Sequence, residues 1–136
     1  GKLGGSAAGK HLDFIPRVRE GIWLRDSGWV HAMTDISDGL AIDLKHLTED
    51  QALGASVEVS VLEAMSSVDQ ALYDGEDFEL LFTTSADVEK IVQREWKNTF
   101  AEPLWKIGSV VKSTHEIHLH DKGTYRLLSD GGLHHF

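Results

Sequence analysis

Two carboxylates and a hydroxyl lie close together in one segment of the chain, Asp35-Ile36-Ser37-Asp38-Gly39-Leu40. The segment separates an apolar run from a run with helical spacing, so we expect it at the mouth of a helix. A helix N-terminus presents unpaired N–H groups and a partial positive charge, and Mg²⁺ prefers oxygen ligands. Asp35 and Asp38 could therefore hold Mg²⁺, Ser37 could donate to a phosphate oxygen, and Gly39 would allow a close backbone approach. An ordinary cap is the alternative, because Ser and Asp are frequent N-cap residues.

A second acidic segment, Asp74-Gly75-Glu76-Asp77, leads directly into an apolar strand pattern. Glu76 or Asp77 could face a ligand at the end of that strand, and an acidic turn before a strand is the alternative. The chain has no Cys, and no Ser/His/acid pattern indicates a covalent intermediate. Any chemistry is therefore expected to depend on position and charge rather than on a nucleophile.

Two histidines, His118 and His120, fall on the same side of an alternating strand pattern. Two histidines on one face could bind a metal ion. The sequence offers no evident third ligand, so a solvated sheet face is the alternative interpretation.

Composition limits the class of protein. The chain has 136 residues, of which 41% are hydrophobic and 26% charged, as in a soluble domain with one core. The net charge of −9 would repel a phosphate backbone, so we expect no nucleic-acid partner. No apolar run reaches the roughly 20 residues of a membrane span, and no signal peptide is evident. Together with the absence of Cys, these features predict a cytoplasmic protein that does not bind membranes.

Three helices are predicted from apolar residues at helical spacing. The first lies near residues 17–26, the second runs from residue 38 to about residue 50 with Asp43 on its wet face, and the third follows Ser85 as its cap. Their apolar sides comprise Val18, Ile22 and Trp23 in the first helix, Leu40, Ala41, Leu44 and Leu47 in the second, and Val88, Ile91, Val92 and Trp96 in the third.

Strands are predicted between these helices and after the last one. Val57, Val59 and Val61 alternate with polar residues, as expected for a half-buried strand. The predicted strands comprise residues 29–34, 55–61, 77–83, 104–111, 117–120 and 124–128. The order of elements predicts an α+β fold, with a mixed β-sheet and helices packed on it.

Three motifs in order make the chain resemble the C-terminal half of the thiamine-monophosphate kinase family, in the aminoimidazole ribotide synthetase-related superfamily. His11 through Gly21, with Pro16-Arg17-Val18, is similar to the family's His…Pro-Arg…Gly segment. The run from Ala32 to Ala41 resembles its most distinctive motif, and Asp74 to Thr83 resembles its Gly-Gly-Glu-Asp-Tyr-Glu-Leu motif. The resemblance implies the α+β fold of this superfamily's C-terminal domain.

The resemblance also implies roles for individual residues. Asp35 and Asp38 would hold Mg²⁺ around the nucleotide phosphates, Ser37 would contact ATP, and Glu76 would bind the thiamine part of the substrate. Leu133 stands where the family has a tyrosine against the substrate, in a tail that normally reads Gly-Tyr-Asp-His-Phe.

The implied protein is larger than this chain. Residues 1–10 would be a linker from an N-terminal domain, and residues 11–136 the C-terminal kinase domain. The full-length kinase would be a homodimer that transfers phosphate from ATP to thiamine phosphate with Mg²⁺, and the isolated domain would be inactive. A non-catalytic ligand-binding or regulatory domain of the same superfamily is the alternative.

Overall fold

The structure is a computed structural model that describes residues 17–49, 53–73, 79–112 and 116–128. The helices in these ranges are α1 (Val18–Ser27), α2 (Leu40–Glu49), α3 (Val59–Met65), α4 (Val68–Tyr73) and α5 (Glu89–Thr99), and a 3₁₀ turn (Ala86–Val88) precedes α5. The strands are β1 (Val30–Asp35), β2 (Gly54–Glu58), β3 (Leu80–Thr84), β4 (Gly108–Val111), β5 (Ile117–Asp121) and β6 (Thr124–Leu128).

The described strands form two sheets. β1 and β3 pair antiparallel, with Asp35 opposite Leu80. The second sheet has the order β4-β2-β5-β6, in which β2 and β5 run parallel and the other pairs antiparallel. The predicted α+β fold with a mixed sheet is therefore confirmed.

The main core lies between α2 and the four-stranded sheet. Leu40, Ala41 and Leu44 of α2 are buried as the helical spacing predicted, and the inward residues of β5, Ile117 and Leu119, join the same cluster. Asp43 contradicts the prediction that it lies on the wet face, because it is only 5% exposed. Its burial follows from hydrogen bonds to the loop before α2.

The region after β2 differs most from the sequence prediction. Val59 and Val61 lie in helix α3 rather than in a strand, and Val59 and Leu62 are buried at helical spacing. The strand predicted over residues 104–111 is confined to Gly108–Val111, which pairs with Gly54–Val57 of β2. Before Gly108, the carbonyl of Ile107 still accepts a hydrogen bond of 2.8 Å from the N–H of Glu58, the last residue of β2. The chain then turns into α3 after Glu58, so the paired strand does not extend to residue 104.

The apolar sides of the first and third helices are also only partly as predicted. Val18 and Ile22 of α1 are exposed, and Leu24 is its buried residue. In α5, Val92 and Trp96 are buried whereas Ile91 is exposed. In both helices, fewer of the apolar side chains are buried than the helical spacing predicts.

Ser85 does not act as the predicted side-chain cap of the helix that follows it. Its hydroxyl instead makes a hydrogen bond of 2.9 Å to Nε2 of His31 on β1. The contact joins the start of the 3₁₀ turn to the neighbouring strand, so Ser85 connects two elements rather than ending one.

Candidate functional site

The segment of two aspartates and a serine forms the loop between β1 and α2. Asp35 is the last residue of β1, and Ser37 and Asp38 lie on the loop, with all three exposed. Between them the Ile36 side chain is buried and anchors the loop in the core. The anchored loop therefore exposes two carboxylates and a hydroxyl to solvent.

Asp43, on the first turn of α2, holds this loop. Its Oδ2 atom accepts hydrogen bonds from the backbone N–H groups of Ser37, at 2.8 Å, and Asp38, at 2.9 Å. The side chains of Ser37 and Asp38 make no N-cap hydrogen bond within the described part of the chain. The N–H groups of Ser37 and Asp38 are therefore already engaged by a carboxylate, and these two residues offer side-chain oxygen atoms to a ligand.

Gly39 is required by the backbone at the end of the same loop. Its φ of +106° is a conformation that side chains rarely adopt. A Cβ atom there would lie 3.0 Å from the carbonyl oxygen of Leu72 and 3.2 Å from that of Tyr73. The missing side chain of Gly39 thus permits a close backbone approach to the C-terminal end of α4.

Glu79 connects the loop to the segment at the start of α1. Its carboxylate accepts hydrogen bonds from Nε and an Nη of Arg17, both at 3.1 Å, and its backbone carbonyl accepts one of 2.8 Å from the N–H of Ile36. The hydrogen bond to Glu79 raises the pKa of the Arg17 guanidinium. Glu79, the residue immediately before β3, therefore connects the three segments whose motifs carried the family resemblance.

Sequence reasoning missed this pair, although one signal was available. Glu79 stands inside an apolar run, between Phe78 and Leu80, and charged residues are rarely buried without a partner. Glu79 is indeed buried. Its partner Arg17 is 62 residues away, so spacing alone could not identify it.

Two of the predicted site residues, Glu76 and Leu133, lie outside the described residues. The remaining three, Asp35, Ser37 and Asp38, share the β1–α2 loop. Across residues 17–49, 53–73, 79–112 and 116–128, no three His, Asp or Glu side chains come together as metal ligands. Asp35 and Asp38 are the residues that could hold a divalent cation, with the other ligands supplied from elsewhere.

The histidine pair on β5 has partners of its own. Nδ1 of His120 lies 2.8 Å from Oε1 of Glu58, and its ring stacks on Tyr125 at 4.5 Å. Nε2 of His118 lies 3.6 Å from a carboxylate oxygen of Glu116. The two histidines share the half-exposed face of β5, as the alternation predicted, and each faces a carboxylate rather than forming one cluster.

The fold and the loop define the class of protein. Residues 15–121 match the family described as AIR synthase related protein, C-terminal domain. The chain belongs to this family. No helix in the described ranges is long and apolar enough to cross a membrane.

Within that class, the chain is similar to thiamine-monophosphate kinases. The enzyme of Rhodopirellula baltica is 32% identical over 126 residues, which cover 84% of this chain and 39% of the relative. That of Buchnera aphidicola is 31% identical and covers 93% of this chain and 42% of the relative. The crystal structure of thiamine-monophosphate kinase from Stenotrophomonas maltophilia superposes with a TM-score of 0.65 at 29% identity, over 80% of this chain and 36% of that one. The resemblance seen in the motifs is confirmed, and the chain spans about two-fifths of the length of the curated relatives.

Proposed function

We propose that this chain is the C-terminal domain of an ATP-dependent thiamine-monophosphate kinase, which transfers the γ-phosphate of ATP to thiamine phosphate. The observation that carries the proposal is the convergence of three kinase-like segments on Glu79, through Arg17 and Ile36. Similarity to proteins named thiamine-monophosphate kinase over most of the chain supports it.

The loop residues fit a divalent cation bound to nucleotide phosphates. Asp35 and Asp38 are exposed carboxylates with no cationic partner among the described residues, and oxygen ligands suit Mg²⁺. When bound, Mg²⁺ supplies a positive charge that neutralises charge developing on the phosphates. Asp35 and Asp38 would hold that ion, and the Ser37 hydroxyl would donate to an ATP oxygen.

The reaction needs no nucleophile from the protein. In direct in-line transfer, a phosphate oxygen of thiamine phosphate attacks the γ-phosphorus of ATP while the bond to the bridging oxygen of ADP breaks. The protein's part is to position the two substrates and to stabilise charge. Glu76 would accept hydrogen bonds from the aminopyrimidine of the substrate, and Leu133 would lie against the substrate where the family has a tyrosine.

The domain organisation is part of the proposal. Residues 1–10 would be a linker and residues 11–136 the C-terminal domain, preceded by an N-terminal domain that completes the nucleotide site and forms a homodimer in the cytoplasm. The share of the relatives' length that this chain covers, 39–42%, supports a further domain. We expect no thiamine diphosphate formation by the 136-residue chain alone.

Paired titrations of the full-length protein test the site assignment. The substitution Glu76→Gln removes a charge-assisted hydrogen bond worth roughly 1.5–3 kcal/mol. Thiamine phosphate should therefore bind about 10- to 150-fold more weakly, whereas ATP affinity should stay unchanged because the phosphates meet the β1–α2 loop. An equal loss for both ligands would indicate a damaged fold, and no loss for thiamine phosphate would remove Glu76 from the substrate site.

Leu133 favours one second candidate, a non-catalytic ligand-binding or regulatory domain with the same fold. A leucine cannot reproduce the stacking and hydroxyl contacts of the family's tyrosine. In this alternative the full-length protein would bind ATP or thiamine phosphate but form no thiamine diphosphate. Thiamine diphosphate formation from ATP and thiamine phosphate by the full-length protein distinguishes the two candidates, because only the kinase would form it. Leu133→Tyr should raise that rate if the kinase assignment holds, and should still give no product in the alternative.

A further inference from the structure

We propose that Asp43 is a positioning residue for the candidate metal site: its buried carboxylate fixes the loop so that Ser37 and Asp38 present side chains, and not backbone amides, to the ligand. This inference rests on the proposed function, because it concerns the same loop. Asp43 itself touches neither substrate nor metal in this account.

The geometry forms a small clamp. A single oxygen atom of Asp43, Oδ2, accepts both loop N–H groups, at 2.8 and 2.9 Å. The N–H of Asp43 in turn donates to the carbonyl of Gly39, at 3.0 Å. Asp43 is only 5% exposed, so water competes little for these hydrogen bonds, which restrict the conformation of the loop.

The clamp determines which ligand chemistry the loop can offer. Free N–H groups at a helix N-terminus bind phosphate directly. Here the amides of Ser37 and Asp38 point at Asp43, and a buried carboxylate behind them would repel an unscreened phosphate. These two amides are therefore not available to a phosphate, and we expect ATP to meet Asp35 and Asp38 through a divalent cation.

Two substitutions separate hydrogen bonding from charge. Asp43→Asn can keep one oxygen for both N–H groups while it removes the negative charge. Asp43→Ala removes the acceptor and releases both amides. Thr48→Val is a matched control, because Thr48 is also buried on α2 but its hydroxyl bonds to Leu44 and does not touch the loop.

The first measurement is hydrogen exchange of peptides covering residues 36–39 in the full-length protein, read by mass spectrometry. Asp43→Ala should speed exchange of the loop amides about 10- to 100-fold, since two hydrogen bonds to a charged group are lost. Asp43→Asn should stay within about 3-fold of wild type, because an acceptor of similar geometry remains. Loop exchange in Asp43→Ala equal to that in Thr48→Val would overturn the clamp.

The second measurement is calorimetric titration of ATP with and without Mg²⁺ on the same proteins. Wild type should bind ATP through this loop only with Mg²⁺, and Asp43→Ala should weaken that binding about 10-fold or more while Asp43→Asn largely restores it. If the loop amides of Asp43→Ala exchange faster but its Mg²⁺-dependent affinity for ATP is unchanged, the positioning role would be overturned, with Asp35 and Asp38 still the proposed ligands. If Asp35→Asn and Asp38→Asn also left that affinity unchanged, the proposed metal site itself would be wrong, which distinguishes the two failures.

Discussion

The ion pair between Arg17 and Glu79 should stabilise the fold far more than a surface pair. Both hydrogen bonds are 3.1 Å long and the two side chains are only 17% and 9% exposed. Removing one partner of a buried pair costs about 3–5 kcal/mol. Glu79→Gln keeps one acceptor, and Arg17 has Glu102 at 3.9 Å as a second, weaker partner. We therefore expect a loss of about 2–3 kcal/mol in the free energy of unfolding, below the full cost of an unpaired charge.

Urea denaturation of single and double mutants measures this contribution. Arg17→Met should destabilise by a similar amount, since it leaves Glu79 buried without its guanidinium. The double mutant should lose clearly less than the sum of the two, with a coupling energy of about 1–2 kcal/mol. The control is Lys106→Met, because Lys106 pairs with Glu89 at 2.9 Å but the two side chains are 54% and 36% exposed; its cost should be about 0.5 kcal/mol or less. Additive effects of the single mutations, or a destabilisation by Glu79→Gln no larger than that of the control, would show that the pair contributes no more than a surface ion pair.

Further predictions concern backbone geometry and pH. Gly39→Ala should lower the free energy of unfolding, measured by urea denaturation, by about 2–4 kcal/mol, because a positive φ combines with a backbone contact at 3.0 Å. Gly28→Ala should lower it by about 1 kcal/mol, because Gly28 also has a positive φ, +79°, but its Cβ would enter open space. Gly108→Ala should weaken the β2–β4 pairing by about 3 kcal/mol or more, because its Cβ would overlap the backbone of Ser56, and loss of hydrogen-exchange protection in β4 would show it. Burial raises the pKa of Tyr73 in the folded protein. The stabilisation that the neutral phenol contributes is therefore complete below the unfolded pKa of about 10, and it is lost as pH rises through the folded pKa. As pH rises above about 9.5, unfolding midpoints should therefore fall less steeply in Tyr73→Phe than in wild type.

The sequence predicts an element correctly where its apolar residues follow a single helical or strand periodicity. Helix α2 follows directly from Leu40, Ala41 and Leu44, because its apolar spacing matches the buried face. For Val59 and Val61 the pattern predicts a strand, but valines two positions apart also suit the start of a buried helix, which is the structure observed. The end of β2 at Glu58, which decides between them, depends on pairing with strands far along the chain.

The candidate site was predictable only in part. The exposed loop of Asp35, Ser37 and Asp38 could be recognised because its residues are adjacent in sequence. The groups that hold it could not, because Asp43 has an ordinary position for a solvated helical residue and Arg17 meets Glu79 only through the tertiary fold. Burial of a charged residue is decided by its partners, which spacing along the chain does not reveal.

In the proposed kinase, the β1–α2 loop would serve phosphoryl transfer between ATP and thiamine phosphate. The most direct test is formation of thiamine diphosphate by the full-length protein with Mg²⁺, compared among wild type, Asp38→Asn and the control Glu63→Gln, an exposed carboxylate on α3. Wild type and Glu63→Gln should form the product at similar rates, and Asp38→Asn should be slower by about 100-fold or more, because a proposed metal ligand has lost its charge. Near-wild-type turnover by Asp38→Asn would remove Asp38 from the metal site, and no product from wild type would remove the kinase assignment.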